Sequence, residues 1–243
     1  MDFLRRVIAW LIDPSHWQGS DGIPTRLGEP LHLSIEAVAI GALISLPIGI
    51  ALGHSGRFGN LAISLSNLGR ALPSYGILVT AFLVFGLGDG PIILALTALA
   101  IPPMVTNSYV ALREVDPDVK EAARGMGYRE LAQLFRVELP LAVPLIMAGI
   151  RTSGVAVVAT ATLLAYVGGG GLGRFIIDGA AIDYQDPRIF AGALFVAVLS
   201  VITELSLASV QRLIVPRALR RVEIDVDRTP VPPPAVPLLP FES

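Results

Sequence analysis

Apolar residues in this chain come in long blocks separated by short polar stretches, a pattern of membrane crossings rather than of a water-soluble core. Five blocks stand out, near residues 31–53, 59–88, 91–112, 141–166 and 189–214. Each supplies the roughly 20 apolar residues that a helix needs to cross a bilayer. The second is longer than one crossing requires and is interrupted by Pro73, which predicts a kinked helix or two shorter pieces, with one kinked helix the preferred reading. Ahead of the first block, residues 3–12 are apolar but too short to span and carry Arg5 and Arg6. No small-residue cleavage site follows, so an amphipathic helix at the membrane interface is a better reading than a signal peptide. Residues 13–30 hold Asp13-Pro14, Gly19, Asp21-Gly22 and Pro24 and read as a polar loop. From Thr229 to Ser243, six of fifteen residues are proline, which predicts an extended or disordered tail. The chain thus divides into an N-terminal interfacial helix and external loop (1–30), a transmembrane domain (31–215) and a Pro-rich tail (216–243).

Composition agrees with the block pattern. Mean hydropathy is +0.67, and 53% of the 243 residues are hydrophobic against 16% charged. A soluble domain carries about a quarter charged residues. Formal net charge is −2, which gives nucleic acid nothing to bind. There is no cysteine, and His16, His32 and His54 share no ligand spacing, so no metal site is expected. Of the 18 basic residues only Lys120 is a lysine, and it lies between Val119 and Glu121. A phosphate-binding P-loop needs its lysine between glycine and Ser or Thr, so this chain carries no such site.

The basic residues also set an orientation. With 113–140 placed in the cytoplasm, the inside holds Arg57, Arg113, Lys120, Arg124, Arg129, Arg136, Arg212, Arg217, Arg220, Arg221 and Arg228. The outside then holds Arg5, Arg6, Arg26, Arg174 and Arg188, an eleven-to-five split that follows the positive-inside rule. The N-terminus is then external and the C-terminus cytoplasmic.

Within the first span, Gly41, Ser45, Gly49 and Gly53 recur every four residues and form a small-residue stripe on one helix face. Such a stripe serves a subunit interface or, more commonly, packing within one chain. Pro47 lies within it and should kink the helix. The segment Glu114–Pro140 is the most specific feature. Asp116-Pro117 is a helix start, and Val119, Ala122, Ala123 and Met126 give a short amphipathic helix that Gly125 and Gly127 interrupt. A second helical stretch runs from Arg129 to Val137. A helix-turn-helix of this kind on the inner face suits docking into a groove of a soluble partner.

Glu121-Ala122-Ala123, then Gly127, then Val137-x-Leu139-Pro140 resembles the EAA loop of ABC importer permeases, with Val137 where isoleucine is more usual. The resemblance covers roughly residues 30–215. Arg70-Ala71-Leu72-Pro73-Ser74, Val115-Asp116-Pro117, Gly149-Ile150-Arg151-Thr152 and the Gly168–Gly173 run look like signatures of osmoprotectant permeases, which import glycine betaine, choline or carnitine. Permeases for methionine and other amino acids share the fold and parts of these signatures. The resemblance implies an all-α integral membrane fold of about five transmembrane helices plus a cytoplasmic coupling helix. It also implies a coupling loop in which Glu121, Ala122, Ala123, Gly127, Leu139 and Pro140 serve an ATPase subunit. No cofactor is expected in this chain, since ATP and Mg would be held by that partner. Further partners implied are a second copy or a sister permease and an extracytoplasmic substrate-binding protein, with the cell membrane as location.

Gly168-x-Gly170-x-x-Gly173 fits a dinucleotide fingerprint literally but lacks the strand before it, and reads as an external loop or re-entrant turn. Charges inside spans are costly and functional by default, which singles out Glu36, Arg70, Arg151 and Glu204. Glu36 and Arg151 lie within about three turns of an interface, where snorkelling accounts for them. Arg70 and Glu204 form a buried pair or act separately along the pathway; the residues alone do not choose. For a quaternary ammonium solute, aromatic faces are the fitting chemistry, and Tyr75, Phe82, Phe85, Tyr109 and Tyr166 lie on spans. The candidate pathway residues are Arg70, Ser74, Tyr75, Tyr109 and Glu204. No catalytic residue is assigned. A standalone secondary transporter or channel would need central carboxylates or inverted repeats, and Glu204 is the one central acid. A membrane-embedded enzyme would need a nucleophile–base pair or metal cluster that does not appear.

Overall fold

The computed structural model describes residues 2–56, 73–181 and 186–215, with single helical positions at 59, 64, 67, 69 and 71. Among these residues every regular element is a helix. Helix α1 (Asp2–Ile12) is the amphipathic N-terminal segment; it buries Val7 and leaves Arg5 and Arg6 exposed. A 3-10 turn (Pro14–Trp17) follows, capped by the Asp13 carboxylate, which accepts from the Ser15 amide at 2.9 Å.

Helix α2 runs from Ile23 to Ser55, so residues 23–30, expected as loop, are helical. Pro24 does not stop it because a proline in the first turn lacks an amide that would have no intrahelical partner. Pro30 is tolerated inside the helix and is buried, with the Gly171 turn packed over its ring. At the other end Gly56 terminates α2 at φ +67°, its amide donating to the Leu52 carbonyl.

The second expected span is not one kinked helix. Pro73 is extended (φ −64°, ψ 122°) and caps a new helix, α3 (Ser74–Phe85). That helix has 12 residues, or about 18 Å, short of a hydrocarbon core of about 30 Å. The break is complete because Pro73 supplies no amide and its extended backbone directs the chain off the helical path. Helices α4 (Asp89–Arg113), α5 (Pro117–Gly125), α6 (Glu130–Gln133), α7 (Leu139–Ala161), α8 (Gly173–Ala181) and α9 (Asp186–Ile214) complete the chain. A π turn (Leu134–Glu138) joins α6 to α7, and a 3-10 turn (Thr162–Val167) follows α7. Among the described residues, four helices are long and apolar enough to cross a membrane: α2, α4, the run through α6 and α7, and α9.

The small-residue stripe turns out to be intramolecular. Gly41, Ser45, Gly49 and Gly53 are all buried, and they face α4. A Cβ at Gly49 would lie 2.6 Å from the Ser108 Cβ, and one at Gly53 would lie 2.7 Å from the Leu112 Cβ. Only glycine permits that approach. Small polar residues add interhelical hydrogen bonds: the Thr97 hydroxyl donates to the Ala37 carbonyl at 3.3 Å and Ser153 to the Ala100 carbonyl at 2.9 Å. One apolar cluster (Leu33, Ala37, Leu78, Leu96, Met104, Val157 among others) joins α2, α3, α4 and α7. A second, nearer the 114–140 loop, joins Leu112, Val115, Leu134, Ala142 and Ile146. Helix α9 is apolar yet scarcely buried, with Leu205, Leu213 and Ile202 exposed. A surface of that composition suits lipid or another membrane subunit.

Candidate functional site

The loop between α4 and α7 folds as its sequence suggests. Asp116 caps α5, its carboxylate accepting from the Asp118 amide at 2.8 Å, with Pro117 in the first turn. Gly127 ends it at φ +83°. The Tyr128 amide donates to the Ala123 carbonyl and the Gly127 amide to the Arg124 carbonyl, the paired bonds of a Schellman turn. That turn explains the glycine: any side chain at Gly127 would be strained by backbone conformation, although the space beside it is open. Glu121 and Ala122 are exposed, whereas Ala123 is buried and faces inward. Leu139 and Pro140 are half-buried at the start of α7. Around the turn Val119, Met126, Leu131 and Phe135 are exposed, and a cleft of about 350 Å³ is lined by Met126, Tyr128, Arg129 and Arg136. An apolar patch rimmed by arginines has the composition that suits docking.

Behind this surface lies a buried polar relay that the sequence reading did not pick out. Glu138, at the end of the π turn, is 1% exposed. Its carboxylate accepts from the Gln133 amide at 2.7 Å and, through the other oxygen, meets Nδ1 of His54 at 2.8 Å. His54 sits in the last turn of α2. Arg124 of α5 donates to the Gln133 carbonyl oxygen at 3.4 Å. Lys120, the lone lysine, donates to the Leu112 carbonyl at 2.7 Å, a cation on the C-terminal carbonyls of α4. Burial pulls its ammonium below the ordinary lysine value, and the negative Glu138 partly opposes that. The relay therefore joins α2, α5, α6 and the head of α7. A lone acid just before Leu139-Pro140, at the edge of an apolar block, was the available signal for Glu138; His54 and Gln133 carried none.

This loop and the helices around it match a known family. The model for the binding-protein-dependent transport system inner membrane component covers residues 45–220. The chain belongs to that family. The permease is 36% identical over 195 residues to the glycine betaine/carnitine/choline transport system permease protein OpuCB of Bacillus subtilis, covering 80% of this chain and 89% of that protein. It is 36% identical to the carnitine transport permease protein OpuCB of Listeria monocytogenes (78% and 87% covered) and 35% identical to the choline transport system permease protein OpuBB of Bacillus subtilis (80% and 89%). Among solved structures, the inward-facing methionine ABC transporter MetNI superposes with a TM-score of 0.70 at 21% identity, covering 84% of this chain and 99% of that one. A likeness at that identity shows a shared fold. The chain is thus a multi-pass membrane permease, and its relatives are permease subunits rather than ATPases.

The candidate pathway residues of the permease have separate partners. Ser74 opens α3 and is half-buried. Tyr75 is exposed and stands edge-on to Tyr166, ring centroids 6.2 Å apart. Tyr109 packs near the C-terminal end of α4, where its carbonyl faces Gly53 and its ring fills the space beside Gly59. Glu204 pairs with Arg151, Nε to Oε1 at 3.1 Å, and Arg151 also donates to Gln211 at 3.1 Å. Arg151 is therefore tied to two groups on α9 rather than merely snorkelling. Arg70 lies outside the described residues. Glu36 bonds His32 one turn away at 2.8 Å. Near the N-terminal end of α2, Glu29 accepts from the Gly171 amide and from Arg26, so the glycine run is a clamped turn. Beside it, a cavity of about 400 Å³ is lined by Glu29, His32, Phe82, Asp89 and Gly168–Gly170.

Proposed function

We propose that this chain is the permease of an ATP-driven importer for a quaternary ammonium compatible solute such as glycine betaine, choline or carnitine. The observation that carries this reading is 35–36% identity, over about four-fifths of the chain, to permeases whose names state those solutes. Two copies, or this chain with a sister permease, enclose the path. The N-terminus is external and the C-terminus cytoplasmic. An ATPase subunit docks on the apolar patch around Gly127, with Glu121 and Ala122 on the exposed face of α5, and ATP and Mg are bound by that partner. A binding protein delivers solute to the outer face. Closure of the ATPase pair moves the two coupling loops, and the bundle alternates between two packings. The exposed Tyr75 of α3 and Tyr166 of the 3-10 turn after α7 offer aromatic surface to a cation.

The test is uptake into proteoliposomes holding the permease with its ATPase and binding protein. ATP-dependent accumulation of labelled glycine betaine, choline or carnitine, with none of methionine, supports the reading. Uptake of methionine alone would move the chain to amino-acid transport. Uptake without any ATPase subunit would make it a standalone transporter. Replacing Gly127 with arginine in the same complex should release the ATPase on gel filtration, since both the turn and the patch are lost.

A further inference from the structure

The coupling loop is joined by the chain itself to α4, which precedes it, and to α7, which follows it. Helix α2 has no such covalent tie, because it ends at Ser55, far from the loop in sequence. It lies along α4 on a small-residue stripe, in close contact with that helix. At its C-terminal end, however, His54 reaches the Glu138 carboxylate at 2.8 Å, and that carboxylate is in turn held by Gln133.

We propose that His54 and Glu138 form the link by which the 117–138 loop moves α2, which makes both positioning residues for transport rather than parts of the docking surface. This rests on the importer reading above, in which the loop is displaced by an ATPase. Three observations carry it. The Glu138 side chain is 2% exposed, so its bonds are neither exchanged with water nor screened. The bond crosses 84 residues of sequence, between elements that backbone does not connect. The relay continues outward through Gln133 to Arg124 on α5, the helix that presents Glu121 and Ala122 to solvent. A push on α5 therefore reaches α2 through side chains that cannot leave the carboxylate without abandoning a buried charge. Glu138 also acts on the nearby Lys120 ammonium, on which Arg113 and Arg124 act in the opposite sense.

The experiment uses the reconstituted complex and reads solute imported per ATP hydrolysed. His54→Ala, which leaves the sequence of the loop unchanged, should lower that ratio about tenfold while hydrolysis per complex stays within about twofold. His54→Gln, whose amide can donate to the same oxygen, should recover at least half of the ratio. The double variant H54A/E138Q should be no worse than H54A, because both changes break one link. The proposal is overturned if H54A keeps the wild-type ratio, if H54Q fails as H54A does, or if uptake and hydrolysis fall together with loss of assembled complex. A wild-type complex that hydrolyses ATP but imports none of the three solutes would instead sink the substrate assignment. The link is then judged on stimulation of hydrolysis by the binding protein, which H54A must abolish and H54Q restore.

Discussion

Helix α2 is held at both ends by a carboxylate, and the two ends are built differently. At the N-terminal end Glu29 accepts from the Gly171 amide and from Arg26, and its side chain is 38% exposed. At the C-terminal end Glu138 meets His54 and Gln133 with a side chain 2% exposed. The same chemical group thus makes a water-accessible clamp in one place and a desolvated link in the other. The Glu29 bonds compete with water and are screened, so they fix a turn at modest free energy. The Glu138 bonds have no competitor, so losing one partner strands a buried charge or donor. The helix between them has 33 residues, about 50 Å, so the stiff attachment is at the end facing the loop and the soft one at the end facing the glycine turn.

Removing each carboxylate gives the largest contrast. Glu138→Ala should cost about 3 kcal/mol of stability. Glu29→Ala should cost about 1 kcal/mol. Thermal unfolding of the detergent-solubilised permease measures both, and equal losses would erase the distinction between the ends. Backbone approach should separate the ends next. Gly53→Ala places a Cβ 2.7 Å from that of Leu112 and should destabilise by about 1–3 kcal/mol. Gly28→Ala meets nothing within 4 Å and should stabilise by about 0.5–1 kcal/mol through helix propensity.

Salt gives a smaller discriminating effect. Raising ionic strength to about 1 M should shrink the Glu29→Ala loss to within error and leave the Glu138→Ala loss almost unchanged. The smallest effect concerns acid. The Ser15 amide and hydroxyl hold the Asp13 carboxyl below its ordinary value. A lowered pKa in the folded state means that this cap contributes above about pH 4 and is lost as pH falls through the lowered value. The two tryptophans, Trp10 and Trp17, both contact this turn, Trp10 through a stack on His16 and Trp17 through its bond to the Leu11 carbonyl. Their fluorescence should change on that acidic limb, and Asp13→Asn should flatten it.

How much of this was readable in advance differs by element. The first helix of the 114–140 loop was legible because its signals are local: Asp116-Pro117 starts it and Gly127 supplies the positive φ that ends it, whereas the second stretch, expected over Arg129–Val137, runs through a π turn into α7. The start of α2 was misread, since Pro24 and the polar residues before Pro30 look like loop when position within a helix is unknown. Pro73 was read as a kink, yet the backbone there is extended and the helix begins anew. Glu204 was singled out as a costly charge, but its partner is Arg151, 53 residues earlier on another helix. The His54–Glu138 bond was invisible, since nothing in either neighbourhood names the other.

The sequence by itself determined that the chain crosses a membrane by several apolar helices and that a short helix ending in a glycine turn lies between two of them. Those features follow from hydropathy, charge and short-range backbone preference, each of which acts over a few turns of chain. The tertiary structure decided which face the glycine stripe covers, which charges neutralise each other and how α2 is tied to the loop. Those depend on side chains distant in sequence being brought within hydrogen-bonding distance and shut away from water. That outcome is set by the packing of whole helices, and no local pattern along the chain encodes it.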